Sequence, residues 1–327
     1  MPNLLSPLKI KNLELPNRIV MPPMANGLAT KKGEMKPDLI EHYLGRPHIG
    51  LIIVEHSYVQ SNGKAGENQL GIYSDELIKG LKKLVDAIHQ DDNKVGIQIT
   101  HAGSTAKEEI IGETPVAPSS VKHPGREEPE LPRELTKLEM EDIKKSFVEA
   151  ALRAKQAGFD MVEIHGAHGY FLNQFFSPLT NQREDEYGGS FANRLRYPLE
   201  IVKAVRQAVG ENYPLFYRLG SDDFISGGLT VEDGVKAAPR LNQAGIDVID
   251  LSGGLKGFEP GIKKEKGFLY LSKAIKPVTD ANILVTGGIK QPEFADKIVR
   301  NEETDLVGIG RAFLKNKFWA QEAVNKL

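Results

Sequence analysis

The sequence predicts a (β/α)8 barrel, and three observations carry that prediction. Eight short apolar runs recur along the 327 residues, amphipathic helical stretches separate most of them, and polar residues gather where the apolar runs end. Short, continuously apolar strands belong in a parallel sheet covered on both faces. Strand–helix alternation supplies the crossovers such a sheet needs. Chemistry at the strand C-termini is the habit of barrel enzymes. A doubly wound open sheet is the alternative arrangement of the same alternation.

In chain order the runs are Ile19–Met24, Leu51–Val59, Val95–Thr100, Met161–His165, Leu215–Leu219, Val248–Ser252, Ile283–Thr286 and Leu306–Ile309. Residues 1–18 precede them and read as a small hairpin that closes the mouth opposite the chemistry. Helical periodicity is clearest over Asp75–Gln90, Lys137–Ala157, Asn193–Val209, Val231–Ala244, Gln291–Arg300 and Ala312–Asn325. Ser190 and Thr230 stand where N-caps belong, because a short side-chain oxygen there accepts from an otherwise unpaired first-turn N–H. Gly158, Gly210 and Gly245 follow the ends of three helices, as glycines that accept a left-handed terminus do. Two excursions interrupt the alternation, residues 102–136 after the third strand and 171–192 after the fourth. Neither a linker nor a low-complexity tract is visible, so residues 1–327 are expected to form one domain.

Composition narrows the function. Lys and Arg total 42 against 44 Asp and Glu, a net charge of −2, which disfavours a nucleic-acid binder because such domains carry a basic excess. The chain has no Cys, which excludes disulfides, thiolate-held clusters and a cysteine nucleophile within it. No run of eighteen apolar residues occurs, so a membrane span is not expected. The opening residues MPNLLSPLKIKNLELPNR alternate polar with apolar and lack a secretory core. A cytoplasmic protein is the expectation.

Reading the strand ends in order gives Pro23, Met24 and Ala25, then His56, Gln98 with His101, His165 with His168 and Tyr170, Arg218, Asp250 with Ser252, Gly287 and Gly288, and finally Gly310 and Arg311. A purely structural barrel has no need to bury an Arg, a Gln and a His pair at one end. The glycine pairs after the seventh and eighth strands suit a phosphate, since barrels commonly bind one there with bare backbone N–H groups and a short helix. Arg311 adds a charge-assisted contact. GIG at 308–310 lacks the third glycine and the following βαβ unit of a dinucleotide fingerprint.

HGAH at 165–168 is compatible with a metal pair, a structural pair, or two donors to a substrate oxygen, although neither Cys nor an evident carboxylate completes a zinc set. Tyr170 lies close enough in sequence to offer a phenol proton to the same ligand. Arg218 is always charged and needs an anion or an electron-rich ring beside it, and a flavin is one such partner. Gln98, donor and acceptor together, suits the polar edge of the same ring.

NRIVMPPM at 17–24, GIQITHAG at 96–103, EIHGAHGYFLNQFFSPLTNQREDEYGGSFANR at 163–194, YRLG at 217–220, VTGGI at 285–289 and VGIGRAFL at 307–314 resemble the Old Yellow Enzyme family. The resemblance runs the length of the chain. It implies an FMN-dependent NAD(P)H oxidoreductase on a (β/α)8 barrel. Carried over residue by residue, it implies that Pro23, Met24 and Ala25 line the flavin with His56 adjacent, and that Gln98 and Arg218 bind the isoalloxazine. Gly287, Gly288, Gly310 and Arg311 would then hold the phosphate. His165 and His168 would bind the carbonyl or nitro oxygen of an electrophilic alkene. In the mechanism the resemblance implies, NADH or NADPH reduces non-covalently bound FMN, flavin N5 delivers hydride to the alkene, and Tyr170 supplies the proton. A small-molecule substrate and a homo-oligomer are the family expectations. Ala25 and Gly27 depart from relatives, which often place Cys or Thr, and an aromatic residue, at those two positions. The Lys263, Lys264 and Lys266 cluster reads as a solvated loop.

Overall fold

Strand pairing closes on itself around the sheet. A computed structural model describes residues 1–263 and 266–327. The chain opens with β1 (Leu8–Ile10) and β2 (Leu13–Leu15), an antiparallel hairpin, followed by β3 (Ile19–Met21) and a short helix α1 (Pro37–Tyr43). Next come β4 (Leu51–Tyr58), α2 (Ile78–His89) and β5 (Lys94–Thr100), then α3 (Glu108–Ile111) and the two-residue strands β6 (Val116–Ala117) and β7 (Arg133–Glu134) in the first excursion. The chain continues through α4 (Lys137–Ala157), β8 (Met161–Gly166), α5 (Phe171–Phe176), α6 (Phe191–Val209), β9 (Leu215–Gly220), α7 (Val231–Gln243) and β10 (Val248–Ser252). It ends with α8 (Glu259–Ile262), α9 (Leu269–Ile275), β11 (Asn282–Thr286), α10 (Pro292–Arg300), β12 (Leu306–Gly308), α11 (Arg311–Lys315) and α12 (Trp319–Lys326). The barrel order is β3–β4–β5–β8–β9–β10–β11–β12, with β12 pairing back onto β3.

The eight expected strands are the eight barrel strands, and helix α4 spans the residues its periodicity indicates. Thr136 caps α4 with a full capping box to Glu139. Ser190 accepts from Asn193 N at the start of α6, and Thr230 forms a capping box with Asp233. Gly158, Gly210 and Gly245 all take positive φ. One helix is corrected. The stretch 312–325 is two helices, because Asn316 leaves the helical region at φ −144 and its Oδ1 accepts from Phe318 N at 3.0 Å. A short amide side chain that satisfies a backbone donor competes with the helix in this way. Helices α1 and α9, seven residues each, carry too few turns for a periodic signal to stand out.

Alternation along the strands builds the interior in layers. At the bottom, Val20, Leu51, Ile53, Met161, Phe216, Val248, Leu284 and Leu306 pack with Ile10, Leu13 and Leu15 of the hairpin. The hairpin therefore closes the N-terminal mouth, as expected. Gly96 faces Met161 in register, and a Cβ there would lie 1.7 Å from Met161 Sδ. Two residues up each strand the interior turns polar, and that layer is the floor of the site. Of the lysine cluster, Lys263 and Lys266 are exposed, while Lys264 lies outside the described residues.

Candidate functional site

Register decides which polar residues meet. Gln98 pairs with Glu163 across β5 and β8, and Gln98 Nε2 donates to Glu163 Oε1 at 2.7 Å. Arg218 stands between His165 on β8 and Asp250 on β10. Its Nε lies 3.1 Å from Asp250 Oδ2, yet the pair is not aligned for a hydrogen bond. Thr286 Oγ1 reaches Asp250 Oδ1 from β11 at 3.4 Å. Glu163 Oε2, Arg218 Nε, Asp250 Oδ2 and Thr100 Oγ1 are all buried without a hydrogen-bond partner among the described residues. Burial, with Asp250 nearby, lifts the Glu163 carboxyl to about 8, and burial lifts Asp250 to about 6 against the pull of Arg218.

Above this layer lies a cavity of about 710 Å³ at the C-terminal mouth. Asp250 stays in the layer below, while Pro23, Met24 and Ala25 after β3, His56 on β4, Gln98, His165, His168, Tyr170, Arg218, Ser252, Gly287, Gly288, Gly310 and Arg311 line the cavity. His101 does not. Its Nδ1 accepts from Gly103 N at 3.0 Å, its Nε2 meets Asn62 Oδ1 at 3.1 Å, and its ring packs on Phe171, so it braces the first excursion.

Three aromatic rings converge at one end of the cavity. The ring centroids of His165 and His168 lie 5.0 Å apart at 90°, and Tyr170 lies 5.0 Å from His165. His165 Nδ1 accepts from Ala167 N at 3.3 Å, which leaves the proton of the neutral ring on Nε2. His168 holds φ +60, an uncommon backbone for a side-chain-bearing residue, and its Nε2 meets Ser252 Oγ at 2.7 Å. Burial keeps both imidazoles far below their usual range, with neighbouring His and Arg groups adding to the effect. Burial also raises the Tyr170 phenol, so it keeps its proton, with Arg126 pulling the other way. Arg126 sits over the Tyr170 ring at 6.0 Å and donates to His168 O at 3.2 Å. His56 belongs to this end also: its ring lies 5.1 Å from that of Tyr170, and burial lowers its pKa to about 4.

The opposite end suits an anion. Gly287 and Gly288 have φ +113 and +74, a conformation that side chains rarely adopt. Gly310 precedes α11, and Arg311 is exposed with no hydrogen bond or ion pair to a described residue. An uncommitted guanidinium beside bare backbone fits a phosphate. The orphaned polar atoms of the middle layer fit a polar ring above them. The residues present thus fit FMN at both ends.

Sequence reading missed Glu163, Thr286 and Phe258, and the first two carried a signal. Glu163 lies two residues before His165, and Thr286 two before Gly288, each on the same interior face by the period of a strand. Phe258, 5.8 Å from His168 between ring centroids, sits on a loop whose course no local pattern gives.

Residues 3–327 match the NADH:flavin oxidoreductase / NADH oxidase family. The chain is 42% identical to an NADH oxidase of Thermoanaerobacter brockii over 98% of its own length and 50% of that protein's. It is 40% identical to an NADPH dehydrogenase of Geobacillus sp. (strain WCH70), over 99% of this chain and 94% of that protein. The structure of an old yellow enzyme homologue from Zymomonas mobilis superposes with a TM-score of 0.89 at 26% identity, over 99% of this chain and 93% of that one. The chain therefore spans half the length of the first relative and nearly all of the second.

Proposed function

The chain belongs to the NADH:flavin oxidoreductase / NADH oxidase family, the FMN-dependent oxidoreductases that include the old yellow enzymes, and we propose that it reduces activated C=C bonds of enones and nitroalkenes at the expense of NADH or NADPH. The observation that carries the reading is the cluster of His165, His168 and Tyr170, three rings about 5 Å apart at one end of the same cavity whose other end suits a phosphate. When bound, FMN would supply the hydride chemistry that links the nicotinamide to the alkene.

The chain's own residues do the rest. Gln98 and Arg218 hold the polar ring of the cofactor, and Pro23, Met24 and Ala25 line it. Gly287, Gly288, Gly310 and Arg311 hold its phosphate. Neutral His165 donates from Nε2 and His168 from the nitrogen that Ser252 leaves free. Both point their protons at the carbonyl or nitro oxygen, which draws electron density from the β-carbon. Donors fixed before the reaction need no reorganisation as charge develops on that oxygen. Tyr170, still protonated, delivers its proton to the α-carbon. Arg126 over the phenol ring stabilises the phenolate left behind.

Residues 1–327 are read as one FMN-binding barrel domain, and a homo-oligomer is expected. No helix among the described residues is long and apolar enough to cross a membrane. The test is anaerobic turnover of a panel of enones and nitroalkenes with NADH and with NADPH, products identified by mass. Saturated products from both substrate groups are expected. Oxidation of NAD(P)H without any saturated product would sink the reading.

A further inference from the structure

Beside the main cavity lies a second one of about 380 Å³, which shares Ala25, His56 and Tyr170 with it. Its walls hold small residues: a Cβ built on Gly27 or Gly66 meets no atom within 4 Å. The polar part of the wall is built. Gln69, 5% exposed, donates from Nε2 to His56 O at 2.9 Å and meets His56 Nδ1 at 3.3 Å. Its Oε1 accepts from Ala65 N at 2.7 Å. Both faces of the amide are therefore committed to holding the pocket's shape.

Glu55 is different. It is fully buried, its Oε2 accepts from Asn26 N at 3.2 Å, and its Oε1 lies buried without a hydrogen-bond partner in a residue that lines the pocket. A buried acceptor left unmade costs stability, and in a native protein it calls for a ligand or a functional reason. No Lys or Arg among the described residues lines the pocket. The other lining carboxylate, Glu67, is already paired with Lys31 at 2.5 Å. The wall thus offers an acceptor, carries no positive charge and has room for a substituent of several heavy atoms.

We propose that this side pocket is a specificity subsite of the enzyme, in which Glu55 Oε1 accepts a hydrogen bond from a hydroxyl or ammonium group on the substrate, and which disfavours a carboxylate. The proposal rests on the ene-reductase reading above. Because Tyr170 and His56 stand at the junction of the two cavities, a substrate whose activating oxygen meets the His pair can send its far substituent past them toward Glu55.

The test uses the FMN-loaded protein with cyclohex-2-enone and four benzylideneacetones that differ only in the para substituent: aminomethyl, hydroxymethyl, ethyl and carboxylate. At pH 8.5, above the value of about 7 to which burial lifts the Glu55 carboxyl, the aminomethyl and hydroxymethyl compounds should exceed the ethyl compound in kcat/KM by about 10-fold or more, the size expected for a hydrogen bond to a charged group. The carboxylate should be poorest. Glu55→Gln should erase the aminomethyl advantage and relieve the carboxylate. Gly66→Leu, at an ordinary backbone conformation with open space around it, should slow all four aryl substrates about 10-fold while sparing cyclohexenone. An aminomethyl advantage that Glu55→Gln abolishes identifies a cation as the occupant. An equal hydroxymethyl advantage identifies a neutral donor. Equal kcat/KM for aminomethyl and ethyl in the unmodified enzyme, or cyclohexenone slowed by Gly66→Leu as much as the aryl substrates, overturns the subsite. If no enone is reduced, the ene-reductase reading fails instead. Calorimetric binding of the saturated aminomethyl and ethyl ketones then decides the subsite alone, with equal affinities overturning it.

Discussion

Arg218 and Asp250 are cross-strand partners on β9 and β10, and their nearest charged atoms lie 3.1 Å apart with neither side chain more than 6% exposed. Glu163 lies on the other side of the same layer, bonded to Gln98. One guanidinium therefore serves two buried carboxyls. Arg218→Ala should destabilise the protein by about 3–5 kcal/mol, the usual result of removing one partner from a buried pair. Urea denaturation at pH 8 and at pH 5 checks this. The loss should be smaller at pH 5, where the stranded carboxyls take up protons. Equal losses at both values would show that Arg218 does not balance these acids.

The same acids set a pH dependence. Glu163, held at about 8 by burial, binds its proton more tightly in the folded chain than in the unfolded one, where a carboxyl titrates near 4.3. Its contribution is therefore complete below the unfolded value and is lost as pH rises through about 8. Stability should fall between pH 5 and pH 8. In Glu163→Gln that fall should shrink by at least about 1.4 kcal/mol, the equivalent of one pKa unit. Urea midpoints at the two pH values measure it, and an unchanged slope would refute the assignment.

Tyr170→Phe separates the two halves of the proposed turnover. The phenol acts only when the alkene is protonated, so reduction of the enzyme by NAD(P)H should stay close to normal. Oxidation by an enone should slow about 10² to 10⁴-fold, the range for a lost general acid. Stopped-flow absorbance resolves the halves. An unimpaired oxidative rate would remove Tyr170 from the acid role.

Arg311→Ala should weaken FMN retention about 10-fold or more, because it removes a charge-assisted contact contributed by a side chain that has no other partner among the described residues. Equilibrium dialysis against FMN, with riboflavin as the phosphate-free control, reads it directly. Riboflavin affinity should be unchanged. A matching loss for riboflavin would move Arg311 away from the phosphate.

Thr136→Ala removes one of the two contacts of the capping box at the start of α4, Glu139 N to Thr136 Oγ1 at 3.3 Å, together with the bond from Thr136 Oγ1 to Glu139 Oε2 at 2.7 Å, and leaves the backbone N–H of residue 136 on the Glu139 carboxylate. The expected cost is about 1 kcal/mol, and it should appear as a lower Tm. Activity per folded molecule should not change, since α4 lies outside the cavity.

The sequence by itself determined the barrel, because its signals are local. An apolar run declares a buried strand, a Thr before a Glu-Asp first turn declares the start of α7, and a glycine after the last helical residue declares the end of α4. Chain order then fixed which residues stand at strand C-termini, and most of them line one cavity. What only the tertiary structure decided is who faces whom. The closeness of Arg218 to Asp250, and of Gln98 to Glu163, depends on the stagger between strands separated by a helix. That stagger is set when the whole barrel closes. His56 is expected beside the flavin and lines the cavity, while only closure sets its ring against Tyr170 and its ring nitrogen against Gln69. The side pocket is equally nonlocal. Gly27, Glu55 and Gly66 come from three different segments that line one pocket, and the space beside the two glycines is open because neither carries a side chain to fill it.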